Sequence, residues 1–157
     1  MRLQKVLIAI SLILLIAQTD ASFGSSGTTG IVYAQTQDAK VEFLTASDLK
    51  SKVTQNQPVT IIDVRTTDAF ADSSRKIKGA VHLKLRRLRY RLGFAPLNKV
   101  SRDSEVITYC SCPNDELSIK AAQVLRDSGF KRARVLKGGW REWLKQNGPV
   151  ETIAKAP

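Results

Sequence analysis

Val106-Ile107-Thr108-Tyr109-Cys110-Ser111-Cys112-Pro113-Asn114-Asp115-Glu116-Leu117-Ser118 is the stretch that decides the fold. Its first four residues are β-branched or aromatic, the signature of a strand covered on both faces. A short polar loop follows. Leu117 to Ser128 then repeats with helical spacing, Ala121, Ala122, Val124 and Leu125 turning inward, and Gly129 closes it as a C-terminal glycine should. Strand, tight loop and helix are the beginning of a βαβ unit.

The same alternation extends in both directions. Upstream, Val41 to Leu44 is a short strand candidate. Thr45 is placed to cap a helix from Ala46 to about Val53, with Asp48 three residues on. Val59 to Asp63 is a second buried strand, Thr66 to Ala71 a helical turn, and Ala80 to Leu83 a brief strand after Gly79. Leu85, Leu88 and Leu92 fall at helical spacing within a basic segment. Downstream, Ala133 to Leu136 is a strand and Gly139 to Gln146 a helix, with Trp140, Trp143 and Leu144 on one side and Gly148-Pro149 as the stop. Short strands alternating with helices predict an α/β fold with a mostly parallel sheet, right-handed crossovers and helices on both faces. Ligands of such sheets bind beyond the carboxyl ends of the strands. Asp63 and Cys110 both fall there.

Hydrophobic content of 43% and charged content of 25% over 157 residues place the chain among one-domain globular proteins. Residues 1–21 differ. Arg2 and Lys5 precede an apolar run from Val6 to Ala17, and small and polar residues follow. This is the pattern of a secretory signal peptide, with cleavage after Ala21 or Ala34; an uncleaved anchor in the inner membrane is the alternative. Either predicts export, to the periplasm or beyond. Residues 22–40 contain a Ser-, Gly- and Thr-rich linker, residues 41–151 the folded domain, and 152–157 a tail. A net charge of +11 favours anionic partners; basic residues interleaved with aromatics in an RNA-binding pattern are lacking, so nucleic acid is not expected. Two cysteines one residue apart cannot staple a fold, so their presence points to chemistry, to a metal, or to neither.

Cys110 ends a buried strand just before a helix. Main-chain N–H groups of such a loop, together with the helix dipole, favour an anion. A thiol held there reacts as its thiolate, suiting sulfur transfer or phosphate-like chemistry. A small buried hydrophobe is the competing reading of a free cysteine.

From about Glu42 to Val150 the chain resembles the rhodanese family. The resemblance rests on Asp63-Val64-Arg65 after a buried strand, Ile77-Lys78-Gly79-Ala80-Val81-His82, Tyr109-Cys110 before the loop, Ser118-Ile119-Lys120-Ala121-Ala122 opening a helix, and Leu136-Lys137-Gly138-Gly139-Trp140 with Trp143 and Gly148-Pro149. It implies a five-stranded parallel sheet between helices and a persulfide-forming Cys110. A sulfur donor and a thiol acceptor would then meet at Cys110, with Ser111, Cys112, Asn114, Asp115, Glu116, Leu117 and Ser118 of the loop and helix start around the bound sulfur, Asp63 and Arg65 either lining the site or tying the strand end to neighbouring loops, and no cofactor. The loop departs from the family pattern. It is two residues longer, Leu117 stands where a basic residue is usual, and Pro113 removes a donor. Asp115 and Glu116 near the thiolate would raise its pKa and repel an anionic donor such as thiosulfate. Phosphatase chemistry lacks the arginine that would grip an oxyanion.

Cys112 has three readings: a resolving thiol that forms a disulfide with Cys110, a metal ligand with Cys110 and His82, or an inert residue. His82 is otherwise a satisfied, partly buried histidine, and Asp63 with Arg65 a structural pair. Lys84, Arg86, Arg87, Arg89, Arg91 and Lys99 form a cluster that is either a solvated face or a docking site for anionic lipid or an acidic protein. Three functions are therefore in play: an exported sulfurtransferase, a non-catalytic rhodanese module that binds a partner protein or membrane, and a thiol redox protein using both cysteines.

Overall fold

The computed structural model describes residues 40–153. The signal peptide or anchor and most of the linker lie outside the described residues. The elements are, in chain order, β1 (Glu42–Leu44), α1 (Ala46–Thr54), β2 (Thr60–Asp63), α2 (Thr67–Ser73), β3 (Arg75–Ile77), β4 (Val81–His82), α3 (Leu85–Arg91), a 3-10 turn (Leu97–Lys99), β5 (Glu105–Tyr109), α4 (Glu116–Asp127), β6 (Arg132–Leu136), α5 (Gly139–Lys145) and β7 (Val150–Thr152).

Five strands form one parallel sheet in the order β1-β6-β5-β2-β4, and β5 is central, pairing with β2 and β6. Alternation along the strands builds two cores. Ile62, Val106 and Ala133 face one way, against Leu88 and Leu92 of the α3 segment and Ala121 and Leu125 of α4. Ile61, Ile107 and Leu136 face the other way, against Leu49 of α1 and Trp140 and Trp143 of α5. Near-continuous apolar strands are required because both faces are covered. Thr45 caps α1, its hydroxyl accepting from Asp48 N at 3.1 Å, as the capping pattern predicts.

Two features lie outside the sequence expectations. β3 and β7 pair antiparallel as a separate two-stranded sheet, Ile77 opposite Val150 and Arg75 opposite Thr152. Hydrogen bonding thus continues past residue 151: Thr152 pairs in β7 and Ile153 N donates to Ser74 O. Among the described residues no helix is long and apolar enough to cross a membrane.

Candidate functional site

Buried strand β5 delivers Cys110 to the carboxyl edge of the sheet, between the ends of β2 and β6. The Cys110 carbonyl is held by Trp140 N at 2.8 Å, so the start of α5 pins the start of the loop. Gly139 permits that approach. Its φ is +50°, and a Cβ there would overlap the Cys110 carbonyl oxygen.

Cys110 is fully buried, and its sulfur is bonded to that of Cys112. Ser118 Oγ lies 3.6 Å from Cys110 Sγ while donating to Asp115 O at 2.8 Å. Ser118 sits in the first turn of α4, a twelve-residue helix whose dipole presents positive potential to the loop. The expected ring of main-chain donors is not seen around the sulfur in this oxidised state. Among the described residues no main-chain N–H donates to Cys110 Sγ, and Asp115 N turns instead to Cys112 O at 3.4 Å. The disulfide closes the loop on itself, with Cys112 half-buried. Of the three readings of Cys112, the bonded one is the arrangement found. Among the described residues no three His, Cys, Asp or Glu side chains converge to hold a metal ion.

Other expected site residues divide. Ser111 and Cys112 are half-buried, Asn114 and Glu116 exposed, and Leu117 half-buried against the α3–α4 core. Asp115 is not a carboxylate lining the mouth of the loop. It is buried, has φ +56°, and its Oδ2 accepts from Gly138 N at 2.8 Å, tying the loop to the β6–α5 turn. Asp63 and Arg65 are likewise not free to bind substrate. Arg65 is buried on three aromatic faces, 5.1 Å from the Phe70 ring centroid, 5.7 Å from Tyr109 and 4.5 Å from Trp140. Its guanidinium forks onto Asp63 and also donates to Ser73 Oγ and Arg75 O. Asp63 in turn accepts from Tyr109 Oη at 2.6 Å. Burial, with the Asp63 charge beside it, pushes the Tyr109 phenol well above its ordinary value and keeps it a donor. His82 stacks on Phe70 at 3.7 Å between ring centroids and faces the Arg65 carbonyl with Nε2. It braces the end of β2 from the side.

Sequence reasoning did not single out a cleft between the end of β2, the start of α3 and the first turn of α4. About 390 Å³ in volume, it is lined by Val64, Thr66, Lys84, Arg86 and Leu117 among others. Two cations from the start of α3, Lys84 and Arg86, therefore line a cleft that Leu117 in the first turn of α4 also borders, while the Ser111–Asp115 loop carries no cation. The available signal was positional: the α3 start, like Cys110, follows a strand at its carboxyl end.

A profile for the Rhodanese-like domain matches residues 45–146, well over half of the chain. The chain belongs to the rhodanese-like family. It is 31% identical over 97 residues to a thiosulfate sulfurtransferase, GlpE, of Glaesserella parasuis serovar 5, covering 62% of this chain and 82% of that one. Among solved structures, the rhodanese-like domain of an Anabaena protein is similar at 28% identity with a TM-score of 0.59, over 73% of this chain and 83% of that chain. A thiosulfate sulfurtransferase from Pseudomonas aeruginosa is similar at 26% identity with a TM-score of 0.60, over 71% of this chain but 20% of the larger one. The rhodanese-like assignment agrees with the five-stranded parallel sheet and the helix layers on its two faces. A sulfurtransferase-like role follows at the level of the family.

Proposed function

We propose that this rhodanese-like protein is an exported sulfurtransferase that carries sulfane sulfur as a persulfide on Cys110. The observation that carries the reading is the place of Cys110: at the end of the central strand, before the first turn of α4, with Ser118 Oγ 3.6 Å from its sulfur. Once the Cys110–Cys112 bond is reduced, the Cys110 thiolate attacks the outer sulfur of a donor. With thiosulfate, an S–S bond forms to Cys110, the donor's S–S bond breaks, and sulfite leaves with the electron pair. A thiol acceptor then takes the outer sulfur. The Ser118 hydroxyl and the α4 dipole stabilise the thiolate in each half-reaction. Lys84 and Arg86 supply, across the cleft, the positive charge that the loop lacks, and this supports an anionic donor.

The test is to reduce the protein, remove the reductant, add thiosulfate or a polysulfide, and weigh the protein. A gain of one sulfur atom, reversed by cyanide and abolished by Cys110→Ser, is the expected result. Cys110 that is reduced and reacts with an alkylating agent, yet gains no sulfur from any of these donors, would overturn the reading and leave a binding module.

A further inference from the structure

We infer that Cys112 is an internal acceptor which converts the sulfur carried by Cys110 into free sulfide; this rests on persulfide formation at Cys110. The Cys112 sulfur reaches the Cys110 sulfur itself within the folded loop. That atom is the inner sulfur of a persulfide. The Cys112 thiolate attacks it, the Cys110–Cys112 bond forms, and the bond to the outer sulfur breaks. The outer sulfur departs with the electron pair and takes up a proton, leaving as hydrogen sulfide. Two electrons from the cysteine pair thus reduce one sulfane sulfur to sulfide.

An external dithiol must then return the pair to its reduced form, and burial sets the direction of its attack. Cys110 is wholly buried and Cys112 half-buried. Thiol–disulfide exchange requires access to the sulfur under attack. The reductant therefore bonds to Cys112, and Cys110 leaves as the thiolate beside Ser118 Oγ, ready for another donor. Net turnover consumes one sulfane sulfur and one dithiol and yields one sulfide and one disulfide.

The experiment loads reduced full-length protein with one equivalent of thiosulfate without oxygen, and follows sulfide together with the protein mass. The wild type is expected to lose two hydrogens and release sulfide in equal amount. Cys112→Ser is expected to hold the added sulfur and release none until a thiol is supplied. A wild type that keeps its persulfide as long as Cys112→Ser, with no disulfide formed, overturns this inference and leaves sulfur transfer standing. Failure of Cys112→Ser to acquire sulfur on a reachable Cys110 overturns the sulfurtransferase reading instead.

Independently of the cysteines, the outer face of α3 points to docking on an anionic lipid surface. Arg87 and Arg89 are exposed, and beside them Tyr90 is 69% and Phe94 45% exposed, their rings 4.7 Å apart. Leu88 and Leu92 anchor the opposite face in the core. No acidic residue occurs from Lys84 to Lys99, and Arg89 lies 4.0 Å from Asp127 of α4. Aromatic rings set among arginines suit a bilayer interface, where the rings enter the headgroup layer and the guanidinium groups meet phosphate. An acidic protein would satisfy the charge but gives less reason for the exposed ring pair. We propose flotation of the full chain with phosphatidylglycerol-containing vesicles against phosphatidylcholine alone, which reads the difference. Tyr90→Ser/Phe94→Ser should reduce binding to the anionic vesicles, and added salt should weaken it. Equal flotation by the wild type and this variant, or no preference for anionic lipid, overturns the proposal, as does binding confined to an acidic protein.

Discussion

Arg65 closes a fork on Asp63, with Nη2 2.6 Å from Oδ2 and Nε 3.0 Å from Oδ1. Tyr109 Oη donates to the same Oδ2 at 2.6 Å and accepts from Ile77 N at 3.2 Å. One buried carboxylate therefore joins the ends of β2 and β5 and reaches β3. Removing either charge leaves the other buried without its partner, which costs about 3–5 kcal/mol. Arg65→Met and Asp63→Asn are each expected to lower the midpoint of urea unfolding by a corresponding amount. Arg65→Lys should recover little of the loss, because an ammonium cannot fork and stacks poorly on Trp140. If Arg65 instead bound substrate from solvent, Arg65→Met would change the Michaelis constant and leave the unfolding midpoint alone.

Ser118 is expected to tune the Cys110 thiol. In the disulfide its hydroxyl donates to Asp115 O; on reduction it can turn to the thiolate. Loss of one such hydrogen bond is worth about 1 kcal/mol, or roughly a fivefold shift in thiolate population. Ser118→Ala should therefore raise the Cys110 pKa and slow its alkylation near neutral pH by that factor, read from the pH profile of the alkylation rate in Cys112→Ser. An unchanged profile would leave the helix dipole as the sole stabiliser.

Gly139 and Gly79 separate backbone conformation from crowding. Both have positive φ, +50° and +77°, but nothing lies within 4 Å of a Cβ built on Gly79. Gly79→Ala should cost only the left-handed conformation, about 1–2 kcal/mol. Gly139→Ala adds an overlap with the Cys110 carbonyl, and backbone cannot step aside as a flexible side chain can. It should destabilise more in urea unfolding. Sulfur loading per folded molecule should also fall, since the displaced carbonyl belongs to the reacting cysteine.

The central elements were legible because their signals are local. β2 and β5 are short buried runs built around β-branched residues, and α4 carries its helical spacing with a glycine just past its end. β3 and β7 were not. Each has three residues, polar or charged in part, and their pairing joins segments far apart in sequence, so no local period marks them. Cys110 was legible as the residue after a buried strand. The work of Asp115 was not: its φ of +56° is rare for a residue with a side chain, and its partner Gly138 is 23 residues away. A carboxylate read as facing the substrate is in fact turned toward a turn. The basic cluster was read as one face, whereas α3 divides it, turning Lys84 and Arg86 to the cleft and Arg89 outward beside Tyr90.

Glu105 sets an acid limit on stability. It opens β5, is buried, and meets Lys52 Nζ at 2.9 Å and Arg134 Nη1 at 3.1 Å, with Arg132 at 3.9 Å; Arg134 is shared with Glu42. Burial alone would raise its pKa, but the hydrogen bonds from Lys52 and Arg134 outweigh it and hold the carboxyl below its ordinary value of 4.5. A carboxyl whose folded pKa is depressed gives stability that is complete above the ordinary value and is lost as pH falls through the folded one. Wild-type unfolding should thus become easier below about pH 4.5. Glu105→Gln removes the charge-assisted bonds and should cost about 1–3 kcal/mol at neutral pH. The gap between wild type and Glu105→Gln should narrow on acidification, because both side chains are then uncharged. A gap that stays constant from neutral pH down through this range would mean that the three cations do not act on Glu105 as a charge.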